Sequence, residues 1–211
     1  MGGRAAGRTS RLVSGIGIGS HRLAVERRVL RLLADRCSFQ TPRTLLAAES
    51  GLEVRQMVAG RCDPWGLFER CERDPMLAQR IGRSVGAILA EQHRAVGEAE
   101  VRDWLPRFVG RPERSDWIHK RLPSVVEDAE LVVMAERTIE RYEGVTVEAG
   151  GRVLVHSDVG LHNLAVDPET DMVNGIFDYD GAAWAGRHHD FRYLVFDVGR
   201  EDMLDAAPGG I

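Results

Sequence analysis

The chain has 211 residues and a mass of 23.4 kDa, with 44% hydrophobic and 28% charged residues; this excludes disordered, collagenous and coiled-coil classes and suits one domain of two lobes or two small domains. A net charge of -4 with pI near 6.0 offers no broad field for nucleic acid. Among 28 basic residues Lys120 is the single lysine, beside 27 arginines, so amine chemistry such as a Schiff base has one candidate side chain.

In chain order, Ser14 to Ser20 (SGIGIGS) reads as a flexible linker, because it lacks a full G-x-G-x-x-G and a Walker lysine. Residues 21–36 place Leu23, Val25, Val29, Leu30, Leu32 and Leu33 at helical spacings with Arg and Glu between them, an amphipathic helix. Thr41-Pro42 breaks it. TLLAA and LEVRQMVAG then read as a hairpin turning at Glu49-Ser50-Gly51, and Gly60 closes this small sheet. Residues 74–97 begin with Asp74-Pro75 and carry Met76, Leu77, Ile81, Val85, Ile88 and Leu89 along one stripe, a long buried helix. A polar segment with Pro106, Pro112 and Pro123 follows, then a helix from Ser124 to Gly144 opened by a Ser124-x-x-Glu127 capping box. After Gly150-Gly151, VLVH, NLAVD and NGIFDYD read as three short strands. Cys37, Cys62 and Cys71 have no CxxC spacing and read as buried thiols in a reducing, cytoplasmic setting. Trp65, Trp104, Trp117 and Trp184 read as packing residues. No apolar run reaches the roughly 18 residues of a membrane span, and the first residues lack a secretory core or a myristoylation pattern.

Residues 152–191 concentrate His156, Asp158, His162, Asn163, Asp178, Asp180, His188, His189 and Asp190 at strand ends, where polar groups emerge from a rigid frame. A carboxylate that accepts a hydroxyl proton, with an amide oxygen and a second carboxylate on a hard cation, is the donor set that phosphoryl transfer from a Mg-nucleotide requires. His156-x-Asp158-x-x-x-x-Asn163, followed 15 residues later by Asp178, resembles the catalytic loop and metal-binding Asp of the protein-kinase-like fold. VHSDVGLHN, GIFDYDGA and HHDFRYL together are most similar to the aminoglycoside phosphotransferase family of small-molecule kinases. Ser157 departs from the family's usual Gly and Tyr179 from its usual Phe, and Gln92-His93 stands at the family's Leu-His-like pair ending a long helix. Residues 22–200 can be laid on the family.

The resemblance implies an α+β, two-lobed fold, with a reduced N-terminal nucleotide-binding lobe at residues 1–60 and a mainly helical C-terminal lobe at residues 61–211. It implies transfer of the γ-phosphate of ATP or GTP to a hydroxyl of a small molecule such as an aminoglycoside, a sugar or an amino alcohol. Asp158 would orient or deprotonate the hydroxyl, and Asn163 and Asp178 would hold Mg2+. His156 and Asp190 would support the loop, and Asp180 would lie near metal or substrate. Glu26 would match the helix glutamate that pairs with a nucleotide-binding lysine, and Gln56, Met57 and Val58 would form the hinge facing the base. Only about twenty residues precede the Glu26 helix, fewer than three strands and their turns need, so most of the phosphate lid and its lysine are expected to be missing, with Arg11 or Arg8 as stand-in. The sheet edges thereby left bare leave room for a homodimer. Two alternatives stand beside the kinase: a non-catalytic pseudokinase or truncated binding module, and a zinc hydrolase built on the histidines.

Overall fold

The computed structural model describes residues 10–14, 18–48, 52–107, 115–144 and 151–196. Its elements run β1 (Ser10–Ser14), α1 (Ile18–Arg36), β2 (Arg43–Ala47), β3 (Leu52–Gln56), α2 (Pro64–Arg73), α3 (Pro75–Ala95), α4 (Glu98–Val101), α5 (Ser115–Val125), α6 (Ala129–Gly144), β4 (Arg152–Val155), β5 (Leu164–Val166), β6 (Val173–Ile176), β7 (Ala183–Gly186) and α7 (His188–Phe196). This is the α+β kinase-like arrangement, a small sheet with one helix followed by a mainly helical lobe.

The small sheet is antiparallel in the order β1-β3-β2. One strand therefore does form ahead of α1, and in it Arg11 stands in register with Arg55. Ser14 closes that strand and Ile18 already opens α1, so most of the expected linker is regular structure; residues 15–17 lie outside the described residues, as do Arg8, the chain's first residues and its Pro-Gly-Gly ending. On α1, Leu23, Val25, Val29, Leu30 and Leu33 are buried as the spacing predicts.

Two Asp-Pro pairs start the next helices. Asp63 accepts from the Gly66 amide at 3.0 Å and Asp74 from the Met76 and Leu77 amides at 2.9 and 3.2 Å, satisfying donors that a helix start leaves unpaired. The sequence reading found only the second pair and missed α2. Along α3, Leu77, Ile81, Val85, Ile88 and Leu89 are buried, each contributing about 1.5–3 kcal/mol of apolar burial, while Met76 is exposed. They form one core with α1 and with Leu154, Leu164 and Ile176 of the later strands.

The capping box at Ser124 is a mistaken expectation. Ser124 lies in the last turn of α5, its hydroxyl donating to the Arg121 carbonyl at 2.7 Å. The cap of α6 is Asp128, whose carboxylate accepts from the Glu130 and Leu131 amides; α5 runs through Ser124 to Val125, so no helix starts there for Ser124 to cap. The cysteine and tryptophan expectations hold in part: Cys71 and Trp184 are buried, whereas Cys62, Trp65 and Trp117 are exposed.

Two glycines fix how the hinge meets the large lobe. Gly60 has φ 137°, a left-handed backbone that favours glycine, and a Cβ there would lie 2.9 Å from the Val166 carbonyl oxygen. At Gly175 a Cβ would lie 1.9 Å from the Gln40 carbonyl oxygen. Through these approaches the chain bonds directly to the β5–β6 hairpin, Arg61 pairing with Val166 and Gln40 with Gly175. No helix among the described residues is long and apolar enough to cross a membrane.

Candidate active site

The apolar strand β4 delivers His156 fully buried. Its Nδ1 accepts from the Asp158 amide at 3.2 Å, which leaves Nε2 to donate to the Phe177 carbonyl at 3.0 Å. That pairing requires the neutral imidazole, and burial pushes its pKa down, with nearby Asp190 opposing. His156 is thus a brace between the Ser157–Asp158 turn and the strand end that carries Asp178.

Ser157 reverses the chain at φ 69°, a conformation that costs a side-chain-bearing residue about 1–3 kcal/mol. Three bonds hold it there. Its amide donates to Asp190 at 2.8 Å, its hydroxyl to the Gly181 carbonyl at 2.6 Å, and its carbonyl accepts from Arg192 at 2.6 Å. The reversal brings Asp158 to the surface of the cleft, half-buried. Asn163, buried in the 3-10 turn Leu161–Asn163, donates its amide nitrogen to the Asp158 carbonyl at 2.8 Å and to its carboxylate at 3.2 Å. The amide oxygen is thereby turned away from Asp158, available to a cation.

Strand β6 carries the chain through Phe177, whose amide donates to the Asn163 carbonyl at 3.1 Å, to Asp178 at φ 72°. The left-handed turn lifts the Asp178 carboxylate into solvent while Tyr179 turns inward. Asp180 is pushed up in pKa, first by burial and then by Asp178, with Asp158 adding to it. Three carboxylates thus crowd one mouth, and their mutual repulsion favours a cation. Among the described residues no three His, Cys, Asp or Glu side chains gather to hold a metal ion alone. Asp178 and the Asn163 oxygen fit a hard cation that takes its other ligands from phosphates, the habit of Mg2+; the zinc alternative finds no assembled ligand set there.

Glu26 is buried in α1. One carboxylate oxygen accepts from the Tyr179 amide at 3.2 Å, and the other meets Arg55 at 2.6 Å. Burial pushes the Glu26 carboxyl up, Arg55 pulls it back, and Asp178 raises it further. Arg55 comes from β3 and is shared with the buried Glu53, which Arg27 also contacts. A cation therefore does pair with Glu26, but it is an arginine on the strand after the helix, which the sequence reading missed. Alternation in LEVRQ does put Glu53 and Arg55 on one face, but a sequence pattern would turn Leu52 and Val54 inward, and only the structure shows the charged face to be the buried one. Lys120 is exposed on α5. Where the hinge is expected, Gln56 ends β3, Met57 is half-buried and Val58 buried. Ala59 has its amide bonded to the Gln40 side chain and its carbonyl to Asn174, so its backbone is already committed.

The sequence profile described as "Phosphotransferase enzyme family" (APH) matches residues 19–208, most of the chain. The chain belongs to the phosphotransferase enzyme family. Among solved structures it resembles the GDP complex of an aminoglycoside 2'-phosphotransferase-IIIa F108L mutant, with TM-score 0.73 and 17% identity over 89% of this chain and 65% of that one. It also resembles a macrolide 2'-phosphotransferase type I, with TM-score 0.68 and 18% identity over 98% and 71% of the two chains. The ADP-bound aminoglycoside phosphotransferase APH(2'')-Ib gives TM-score 0.66 and 16% identity over 95% and 71%. This chain thus spans about two thirds of the length of these structures. No curated protein sequence matches it. Within the phosphotransferase family frame, His156, Asp158, Asn163, Asp178 and Asp190 fall together around the ends of β4 and β6.

Proposed function

We propose that this chain transfers the γ-phosphoryl group of ATP or GTP to a hydroxyl of a small molecule, with an aminoglycoside, a sugar or an amino alcohol as acceptor class. The observation that carries this is the placement of Asp158, Asn163 and Asp178 at one mouth, each held by backbone turns rather than by flexible side chains. Asp158 accepts or orients the hydroxyl proton. Asn163 and Asp178 hold Mg2+, which when bound neutralises charge between the phosphates. Glu26 and Arg55 present the cation side of the nucleotide pocket, and Met57 and Val58 supply hinge backbone for the base. Residues 1–60 form the nucleotide lobe and residues 61–211 the acceptor and catalytic lobe, in a protein of the reducing cytoplasm. Structural relatives in complex with GDP and ADP support the nucleotide half of this reading.

A second reading, a nucleotide-binding module without turnover, is favoured by one observation: Arg55 is held between two carboxylates, Glu26 and Glu53, and an arginine is not an equivalent ligand to a lysine. One experiment separates them. Mg-ATP or Mg-GTP raises the melting temperature of the wild type, and Asp178→Ala abolishes the Mg dependence of that shift. Nucleoside diphosphate release with a panel of small hydroxyl compounds then falls by about 10²–10⁴-fold in Asp158→Asn with the nucleotide shift kept. A nucleotide shift with no acceptor-dependent turnover selects the binding module; no shift with any nucleotide defeats both.

A further inference from the structure

Two of the places where this sequence departs from its family's pattern touch each other. Tyr179 stands at the usual Phe and Gln92 at the Leu of the Leu-His-like pair, and the Tyr179 hydroxyl lies 2.8 Å from Gln92 Oε1, with both residues at 0% exposure. The orientation of the amide is set by its surroundings. Gln92 Nε2 faces the Leu154 carbonyl at 3.1 Å and Asp190 Oδ2 at 3.2 Å, both acceptors, so the NH2 group points there and Oε1 requires a donor. Phe could not supply one.

The same pair sits on the path between the two halves of the site. Tyr179 follows Asp178, and its amide donates to Glu26. Beyond Gln92, Asp190 accepts from His93 at 2.8 Å on Oδ2 and from the Ser157 amide at 2.8 Å on Oδ1. The Tyr179 ring also packs against His156, centroids 4.2 Å apart. From Glu26 to Asp190 every step is a buried bond, the last step to the Ser157 amide is part-buried, and the link that Phe and Leu could not make is Tyr179 to Gln92.

We infer that Tyr179 and Gln92 are positioning residues, a matched polar pair that ties the metal-binding turn at Asp178 to the catalytic loop at Ser157 and Asp158 through Asp190. The inference rests on the phosphotransferase reading of the site. A buried acceptor that loses its donor is costly, so Tyr179→Phe strands Gln92 Oε1 and loosens both segments, although the apolar ring and its packing are kept.

The test reads the chain with and without ligand. In the nucleotide-free protein, Tyr179→Phe raises hydrogen exchange about 10-fold in the peptides around residues 154–158 and 177–181, while Ile81→Val, a core change of similar stability cost, does not. With Mg-ATP, the free Mg2+ needed for half of the thermal shift rises about 5–10-fold in Tyr179→Phe. In a Gln92→Leu background, or Gln92→Met should Leu fail to fold, adding Tyr179→Phe changes the Mg2+ midpoint by less than 2-fold, since the pair acts as one unit. A wild type that responds to Mg-ATP beside a Tyr179→Phe variant with the same midpoint and the same exchange overturns this inference and leaves the phosphotransferase reading standing. Equal loosening in Ile81→Val also overturns it. A wild type without any Mg-nucleotide response overturns the reading and the inference together.

Discussion

The segment from β4 to α7 and the α5–α6 pair have similar shares of polar side chains but use them in opposite ways. In the first, His156, Asn163, His189 and Asp190 are buried, and the hydrogen bonds of His156, Asn163 and Asp190 lead to backbone groups of the loops that carry Asp158 and Asp178. In the second, α5 and α6 pack on each other and bury no residue, leaving Trp117, Val125, Leu131, Val133 and Met134 exposed. Stability is therefore concentrated where geometry has to be kept. Charged groups taken out of water in one region, and apolar groups left in water in the other, make mutation the way to sharpen the contrast.

The largest effect belongs to Arg55, on the strand that supports the site through Glu26. Arg55→Met leaves Glu26 and Glu53 buried, with Arg27 still on Glu53, and costs about 3–5 kcal/mol, read as a lowered midpoint in urea. A change below about 1 kcal/mol would show that these charges are already solvated and would erase the contrast.

The next effect is one of pH. His189 is pushed down to about 4 by burial, then by His188 and Arg192, and His156 is also lowered by burial. Both bind a proton more readily when unfolded, so their contribution is intact above the usual histidine value of about 6.5 and is lost as pH falls below it. Each group contributes at most about 1.4 kcal/mol per pH unit. Denaturant midpoints should therefore drop from pH 7 to pH 5, and His189→Gln should shallow the slope. A flat profile would place these imidazoles in water. Glu26, raised by burial, acts in the opposite sense: its contribution is present below 4.5 and is lost as pH rises through its raised value.

The smallest effect is in the helical pair. Val133→Asp or Met134→Gln changes stability by no more than about 0.5 kcal/mol, measured by the same unfolding curves. A loss of several kcal/mol would mean that α6 packs in solution against a surface of its own.

The two regions also differ in how much the sequence revealed. The gathering of the cluster in the first region was legible because its residues are tied to fixed offsets along one short stretch: His156, Asp158 and Asn163 share a loop, and Asp178 ends the next hairpin. The helices α1 and α3 were legible from their apolar stripes. Arg55 was not, since its partner Glu26 is 29 residues away and only the packing of β3 against α1 brings them together. Helix α5 was missed because its Pro123 read as part of a polar loop, and α6 was started too early because Ser124 and Asp128 both offer a cap and only the three-dimensional path of the chain selects between them. The Tyr179–Gln92 contact was half visible: each departure could be seen, but not that one answers the other.

That the cation beside Glu26 is an arginine sets what the cleft will react with. A guanidinium is protonated at any ordinary pH and is a poor nucleophile, so nucleotide analogues that carry an acylating or aldehyde group aimed at a pocket amine find nothing to modify among the side chains around Glu26. Lys120, the one amine-bearing side chain of this sequence, sits on the surface of α5, where labelling would not depend on whether the pocket is filled. On the proposed reading, a survey that counts nucleotide-binding proteins by amine capture would pass over this chain, and one that counts them by reversible binding would include it.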